Sequence, residues 1–188
     1  NTSIEYYGTI FSVAESTLDS QILWTGSDDG RIHISRDDGA HWSDVTPRNA
    51  PSDLQWNSLE PSPFEDDGLY AIGTRYKWGD RKPYLYRTSD GGQTWRPIVD
   101  GIDATHFTRS LRADPERNGV LYAGTERGVY LSLDNGESWR AFQLNLPQVP
   151  ITDLAVRDGD LIAATQGRGF WILDDLSPIA QDQGEAFK

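Results

Sequence analysis

The stretch Ser132-Leu133-Asp134-Asn135-Gly136-Glu137-Ser138-Trp139 decides the fold of this 188-residue chain, because its pattern occurs three times. Each copy places Ser or Thr, Asp, Gly and Trp at the same spacing, and the tryptophans of successive copies are 53 and 44 residues apart. A pattern that returns at such intervals predicts a chain built from repeated structural units. The three copies consist of Ser35, Asp37, Gly39 and Trp42; of Thr88, Asp90, Gly92 and Trp95; and of Ser132, Asp134, Gly136 and Trp139.

Short runs rich in β-branched and aromatic residues precede each copy and end in Gly or Ala. Alternation with period 2, bounded by Gly, Asp, Asn and Pro, predicts short strands. An earlier run begins each unit and one more run follows each copy, which predicts four antiparallel strands per unit. The runs that precede the copies, with the matching run of a fourth unit, are Ile22–Gly26, Leu69–Gly73, Val120–Gly124 and Leu161–Ala164.

We therefore predict an all-β fold, a β-propeller of about four four-stranded antiparallel blades or a segment of a larger propeller. The whole chain, residues 1–188, is predicted to form a single domain. In the fourth unit the repeated pattern is eroded, because Leu173, Ser177 and Ala180 stand where Ser, Gly and Trp are expected. Residues 1–7 are a candidate closing strand. The predicted blades span approximately residues 8–47, 55–99, 107–144 and 149–180.

The repeated Asp is predicted to be structural. An Asp held two residues before Gly accepts hydrogen bonds from the backbone N–H groups of its own turn, while Gly supplies the positive φ that a tight turn needs. The Trp returns on the next strand and covers the turn with apolar surface. The repeated aspartates could be taken for a catalytic carboxylate pair. However, Asp37, Asp90 and Asp134 each lie a whole blade away from the next, and each is expected to be hydrogen-bonded within its own turn.

The composition disfavours several classes of function. Seventeen basic and 29 acidic residues give a formal net charge of −12, which disfavours nucleic acids and anionic membrane surfaces as partners. Cysteine is absent, which removes disulfides, thiolate nucleophiles and zinc sites of the Cys kind. No apolar stretch approaches the roughly 18 residues that span a bilayer. We expect no membrane insertion, no cofactor and no metal site. Methionine is absent too, which favours a piece of a longer product.

The three copies and their strand context resemble the Asp-box (bacterial neuraminidase repeat) superfamily, which includes sialidases, xyloglucan-active hydrolases, sortilin-type receptors and photosystem assembly factors. The segment from Ala164 to Asp175 resembles the end of large bacterial sortilin-like propeller proteins, often labelled glycosyl hydrolases, in which His usually stands at the position of Gln166. The resemblance implies a carboxyl-terminal segment of a longer protein that is secreted, periplasmic or attached to the cell envelope.

The topology of a four-stranded blade predicts where recognition takes place. The repeated turn joins the third and fourth strands, so the turns between second and third strands lie at the opposite edge with the connections between blades. Loops on a rigid scaffold are preferred ligand sites. The most distinctive loop is the insertion Arg75–Arg81, which either presents its aromatic residues to a sugar or protein or forms a solvated hairpin packed on its own blade. The candidate ligand-binding residues are Trp56, Tyr76, Trp78, His106, Arg109, Arg127, Gln166 and Arg168.

Catalytic residues are harder to assign. The sialidase members of the superfamily imply an Arg-Ile-Pro element and an arginine triad, but no Arg-Ile-Pro occurs here. Arg109, Arg127 and Arg168 fall in successive units, yet arginines in an acidic protein are more often salt-bridged surface residues. The weak catalytic candidates are Asp28, Asp29 and Glu126. Asp28-Asp29-Gly30 also fits a metal loop, although Asp-Gly is first of all a hairpin turn.

Two classes of function follow. The leading one is a non-catalytic module for binding or assembly, which recognises a protein or a glycan as part of a larger Asp-box protein. The alternative is a glycoside hydrolase with a sialidase-like fold that acts on a neutral polysaccharide. Its carboxylate pair would lie at the edge that carries the turns between second and third strands. Four units either close tightly on themselves or leave a half-ring whose apolar faces are covered by a second copy or by other blades of a longer parent chain.

Overall fold

The computed structural model describes residues 8–181, which form fifteen strands in four antiparallel sheets. In every sheet the strands are hydrogen-bonded in chain order. We name the sheets blades 1 to 4. Blade 1 contains β1 (Ile10–Glu15), β2 (Leu23–Ser27), β3 (Ile32–Ser35) and β4 (Ser43–Asp44). Blade 2 contains β5 (Gln55–Pro61), β6 (Leu69–Arg75), β7 (Asp80–Thr88) and β8 (Arg96–Pro97). Blade 3 contains β9 (Thr108–Ala113), β10 (Leu121–Thr125), β11 (Gly128–Ser132) and β12 (Arg140–Ala141). Blade 4 contains β13 (Ile151–Arg157), β14 (Asp160–Thr165) and β15 (Phe170–Leu173).

The first strands of the four blades lie side by side around a common centre. Strand β5 contacts both β1 and β9, and β9 also contacts β13. The later strands of each blade follow outward, so the sheets radiate from the centre. The prediction of an all-β chain of radially arranged antiparallel sheets is confirmed.

The fourth blade corrects one detail of the prediction, because its sheet has three strands among residues 8–181 instead of four. After Leu173 the chain leaves the sheet and forms the short helix α1 (Ser177–Gln181). Leu176 and Ile179 are buried against the apolar residues of blades 3 and 4. The eroded pattern of the fourth unit, which lacks the Gly and Trp of the other copies, coincides with this missing strand. The candidate closing strand, residues 1–7, lies outside the described residues.

Each interface between successive blades is an apolar core. The face of a blade that is turned toward the preceding blade is here called its front face, and the other its back face. Each front face carries one residue from each of the first three strands of its blade, and the three residues lie side by side in register. They are Leu59, Ala71 and Tyr86 in blade 2; Leu111, Ala123 and Tyr130 in blade 3; and Leu154, Ala163 and Trp171 in blade 4. Each set packs in one cluster with residues of the preceding blade.

The three copies of the repeated pattern share one hydrogen-bond arrangement. In blade 3, Ser132 Oγ donates to Asp134 Oδ1 (2.7 Å) and accepts from the Gly136 N–H (2.8 Å). The Ser138 N–H donates to Asp134 Oδ1 (2.9 Å). The equivalent bonds are present around Asp37 and Asp90. The carboxylates are therefore engaged by their own turns, as the sequence predicts.

The tryptophans of the pattern connect neighbouring blades. Trp95 Nε1 donates to the carbonyl of Val45 in blade 1 (2.7 Å), and Trp139 Nε1 donates to the carbonyl of Ile98 in blade 2 (2.9 Å). Trp42 belongs to the first described blade, and its Nε1 donates to the carbonyl of Gly39 in its own turn instead (3.0 Å). The sequence predicts that each Trp covers its own turn. The structure adds that the Trp also anchors its blade to the one before it.

No helix among residues 8–181 combines the length and the apolar character needed to cross a bilayer.

We predict that Asp134→Ala lowers the free energy of unfolding by about 1 to 3 kcal/mol, because it removes acceptors for three hydrogen bonds of the turn. Urea denaturation followed by tryptophan fluorescence measures this. The matched control is Asp66→Ala, at an exposed loop position, which we expect to change stability by less than about 0.5 kcal/mol. Equal stability of Asp134→Ala and the wild type would contradict a structural role.

Candidate functional site

One edge of the structure carries the connections between blades together with the turns between the second and third strands, and we call it the upper edge. Three equivalent backbone bonds tie such a turn to the segment that begins its own blade: Asp28 N to Thr9 O, Glu126 N to Phe107 O, and Gln166 N to Pro150 O. The repeated Asp turns lie at the other ends of the third strands. The predicted division of the molecule into a structural edge and a loop edge therefore matches the strand order.

The insertion in blade 2 is held rigidly at its base. Arg75 forms ion pairs with Asp53 (2.9 Å) and Asp80 (3.2 Å), and the Tyr84 hydroxyl donates to Asp80 (2.7 Å). The hydrogen bond from Arg75 holds the pKa of Asp53 below its ordinary value. Beyond Arg75 the chain makes a single 3₁₀ turn, Tyr76–Trp78, which ends at Gly79 with a φ of 75°. A residue with a side chain rarely adopts this conformation.

The insertion reaches across the upper edge to both neighbouring blades. The Tyr76 ring stacks on Phe107, at the start of blade 3, with 5.5 Å between centroids. Lys77 Nζ lies 5.6 Å from the centroid of Phe11 in blade 1. Trp78 is 67% exposed, so most of its surface is open to solvent. The insertion thus contacts both neighbouring blades and presents a largely exposed tryptophan at the upper edge.

The candidate arginines have different surroundings. Arg109 forms an ion pair with Glu126 (2.7 Å) and lies 5.1 Å from the Phe107 ring, which is the salt-bridged arrangement. Arg127 is exposed and contributes to a cleft at the upper edge of about 290 Å³. Arg168 is exposed on the turn of blade 4. The cleft is lined by Arg81, Thr105, Glu126, Arg127, Gln148 and Pro150.

The remaining predicted ligand-binding residues divide into exposed and buried ones. Gln166 is exposed on the turn of blade 4, and half-buried His106 has Nδ1 3.0 Å from the Tyr130 hydroxyl. Trp56 contradicts the prediction that it lies at the edge, because its side chain is completely buried between blades 1 and 2. Its position in the inner strand turns it toward the interblade core, where it meets Tyr86 edge-on at 5.7 Å between centroids.

The weak catalytic candidates are each engaged within their own blade. Asp28 Oδ1 accepts bonds from the Gly8 and Thr9 N–H groups (2.9 and 2.8 Å). Asp29 bonds to the Ser27 hydroxyl and lies 3.7 Å from Arg31, while Glu126 pairs with Arg109. These bonds favour the turn interpretation of Asp28-Asp29-Gly30. Within residues 8–181 no group of three or more His, Asp or Glu side chains is arranged to hold a metal ion.

The structure also contains a central groove that the sequence analysis missed. Its volume is about 620 Å³, and it is lined by residues from the inner strands of all four blades. The signal was present in the sequence as polar residues that interrupt the apolar alternation of these strands, but their convergence requires the radial arrangement. The polar lining residues are Ser12, Glu15, Thr17, Asn57, Ser58, Glu60, Arg109, Ser110, Arg112, Thr152 and Asp153.

A row of linked charged side chains runs along this groove from blade 2 to blade 4. Arg112 Nη2 bonds to Asp153 Oδ1 (2.8 Å), and Arg112 Nη1 lies 3.6 Å from Glu60 Oε2. Glu60 Oε1 also accepts a bond from the Ala113 N–H (3.0 Å). Burial raises the pKa of Glu60 to about 7, and the Arg112 charge only partly opposes this. Glu60 therefore changes its charge close to neutral pH.

No protein-family model matches the chain. Its sequence is 31% identical over 128 residues to an oligoxyloglucan-reducing end-specific xyloglucanase of Emericella nidulans, an alignment that covers 65% of this chain and 15% of the xyloglucanase. It is 30% identical over 106 residues to the vacuolar protein sorting/targeting protein 10 of Laccaria bicolor, covering 55% of this chain and 6% of the relative. Among solved structures, YCF48 bound to D1 peptide superposes with a TM-score of 0.66 and 22% identity, covering 91% of this chain and 53% of YCF48.

The fold is that of a β-propeller. The relatives are a xyloglucanase and a sortilin-like protein, which agrees with the Asp-box resemblance of the repeated turns. The chain spans less than a sixth of the length of these two relatives. The likeness to YCF48, at 22% identity, concerns the architecture alone.

We predict that Glu60→Gln changes the pH dependence of stability. Because the pKa of Glu60 is raised on folding, the unfolded chain releases this proton first as pH rises, and the contribution of Glu60 to stability declines between about pH 4.5 and pH 7. From about pH 5 to pH 8, the wild-type free energy of unfolding should fall by about 2 kcal/mol more than that of Glu60→Gln. Urea denaturation at several pH values measures the difference.

The control for this prediction is Glu15→Gln, an exposed glutamate that lines the same groove. It should retain the wild-type pH dependence. The same pH dependence in Glu60→Gln and the wild type would show that Glu60 is not held in its neutral form by burial.

Proposed function

We propose that this chain is a non-catalytic binding module that holds an extended segment of a partner protein in the central groove, beneath the insertion of blade 2. The observation that carries the proposal is the convergence of polar groups from all four inner strands on one groove of about 620 Å³. A concave site formed on a rigid scaffold, with a few polar groups that fix orientation, is typical of ligand-binding sites.

The chemistry of the lining favours a polypeptide. Arg109, Arg112, Glu15, Glu60 and Asp153 place both signs of charge along the groove, which suits peptide groups and charged side chains better than a neutral sugar.

The insertion provides the anchor for such a ligand. Tyr76 and Lys77 hold it against Phe107 and Phe11, so Trp78 is presented at little additional entropic cost. Exposed aromatic residues on rigid supports often supply most of the binding free energy of an interface. The cleft that contains Arg81 and Arg127 extends the same edge and offers two cations to the partner.

The comparisons support this proposal without deciding it. One relative is by name a protein that sorts or targets other proteins, and the structural neighbour YCF48 was solved with a bound peptide. We place the protein outside the cell or at the cell envelope, in keeping with the sortilin-like relative. Glycan recognition is the competing form of the same binding function.

We predict that a random-peptide display library yields binders and that a glycan array yields none. For a selected peptide, Trp78→Ala should weaken the affinity measured by calorimetry about tenfold or more, because it removes an exposed aromatic anchor. The control is Phe64→Ala, an exposed aromatic substitution at the opposite edge of the same blade, which should leave the affinity unchanged. Binders insensitive to both Trp78→Ala and Arg112→Gln would refute the site.

A hydrolase is the second candidate, and Glu60 is the observation that favours it. A carboxyl group whose pKa lies near neutrality suits the role of general acid, and Asp153 is joined to Glu60 through Arg112. This pair differs from the carboxylates that the sequence indicated. The neutral polysaccharide named in the relative, xyloglucan, is the first substrate to test.

On the binding proposal, we expect no release of reducing ends from xyloglucan between about pH 5 and pH 7, even at high protein concentration. Release that is lost in Glu60→Gln and retained in Glu15→Gln would reverse the order of the two candidates.

A further inference from the structure

The last blade exposes a back face that the other blades bury. Phe170 is 79% exposed and Ile172 is 59% exposed. By strand register, Phe170 corresponds to Ile32, Leu85 and Val129 of the other blades, and Ile172 corresponds to Ile34 and Leu131. All five of these residues are at most 4% exposed, because the next blade covers them. Blade 4 thus ends in a face made for blade packing.

The first blade exposes the complementary front face. Val13 is 66% exposed, whereas Leu59, Leu111 and Leu154 at the same position are at most 5% exposed. Ile10 is 57% exposed and precedes a β-bulge, as do Trp56 and Ile151, which are completely buried. The bulge lies at the same position in all three strands, so β1 has the shape of the strands that pack against a preceding blade.

We propose that these two faces meet in a second copy of this chain. The back face of blade 4 in each copy packs on the front face of blade 1 in the other, and a two-fold axis relates the two contacts. Among residues 8–181 both faces stay open and the strands of blades 1 and 4 do not pair, so the described arc does not close on itself. A head-to-tail contact of this kind produces a closed ring when the rotation between copies completes the circle.

The size of the arc supports closure by two copies. The chain aligns with 53% of the length of YCF48, so two arcs amount to one propeller of that size. The front face of blade 1 also carries Thr25 and His33 where blades 2 and 3 carry Ala and Tyr. A less apolar face suits a surface that meets water before assembly. This inference is independent of the proposed ligand.

Equivalent contacts inside the chain define where a cross-link between copies should form. A methyl group built on Gly26 lies 2.7 Å from Cβ of Trp56, and one built on Gly124 lies 3.0 Å from Cβ of Ile151. The residue of blade 4 that corresponds to these glycines is Ala164, and the residue of blade 1 that corresponds to Trp56 and Ile151 is Ile10. Disulfides need Cβ atoms about 3.5 to 4.5 Å apart, slightly more than the 2.7 and 3.0 Å of these equivalent contacts, so a small separation of the two faces lets this pair cross-link.

The first experiment uses the chain's lack of cysteine. The double variant Ile10→Cys with Ala164→Cys, oxidised under native conditions, should give a covalent dimer on a non-reducing gel, and both single variants should give far less. A cross-link within one chain would overturn the proposal, because it would show closure of a four-blade ring. Absence of any cross-link would also overturn it.

The second experiment tests the apolar faces without cysteine. Light scattering coupled to size exclusion should give the wild type twice the 21.1 kDa mass of one chain. Phe170→Glu with Ile172→Glu, and separately Val13→Glu, should give the mass of one chain with unchanged circular dichroism. The control Phe64→Glu, at an exposed position of blade 2, should remain dimeric. A wild type that is monomeric at all concentrations would overturn the proposal and leave these faces to other blades.

Discussion

The packing of one blade against the next is the constraint on which the rest of this structure depends. A sheet of three or four short strands buries too little apolar surface to be stable alone, so each blade is stabilised by its neighbours. The front residues, such as Leu111, Ala123 and Tyr130, supply this surface, and the tryptophans add one hydrogen bond per interface. The apolar faces between successive blades are buried in this way, whereas Val13 in blade 1 and Phe170 in blade 4 remain exposed.

The same packing explains why the candidate site is polar. Side chains that point into an interblade interface must be apolar, whereas those that point to the centre are freed from this requirement. Glu60, Arg112 and Asp153 occupy the central direction and meet across blades 2 to 4. Burial raises the pKa of Glu60 to about 7, so the geometry that holds the blades together also creates an electrostatic feature of the groove that responds to pH near neutrality.

The division between scaffold and recognition follows from the chain path. The repeated Asp turns are identical in geometry because each satisfies the same backbone groups, and this leaves little freedom for function at that edge. At the opposite edge the turns of blades 1, 3 and 4 share one backbone bond to the start of their own blade, whereas blade 2 carries the insertion at Tyr76–Trp78 instead. Variation between the blades is therefore concentrated at the edge on which we propose that a partner binds.

The strands, the repeat and the structural role of Asp37, Asp90 and Asp134 could be predicted from the sequence, because they depend on local hydrogen bonds and period-2 alternation. The same holds for the edge on which Tyr76 and Trp78 lie. Tertiary structure alone decided that Trp56 is buried, that Glu126 pairs with Arg109, and that Glu60, Arg112 and Asp153 converge. These contacts join residues from different strands or different blades, and their distances depend on the angle between sheets, which no local pattern of residues encodes.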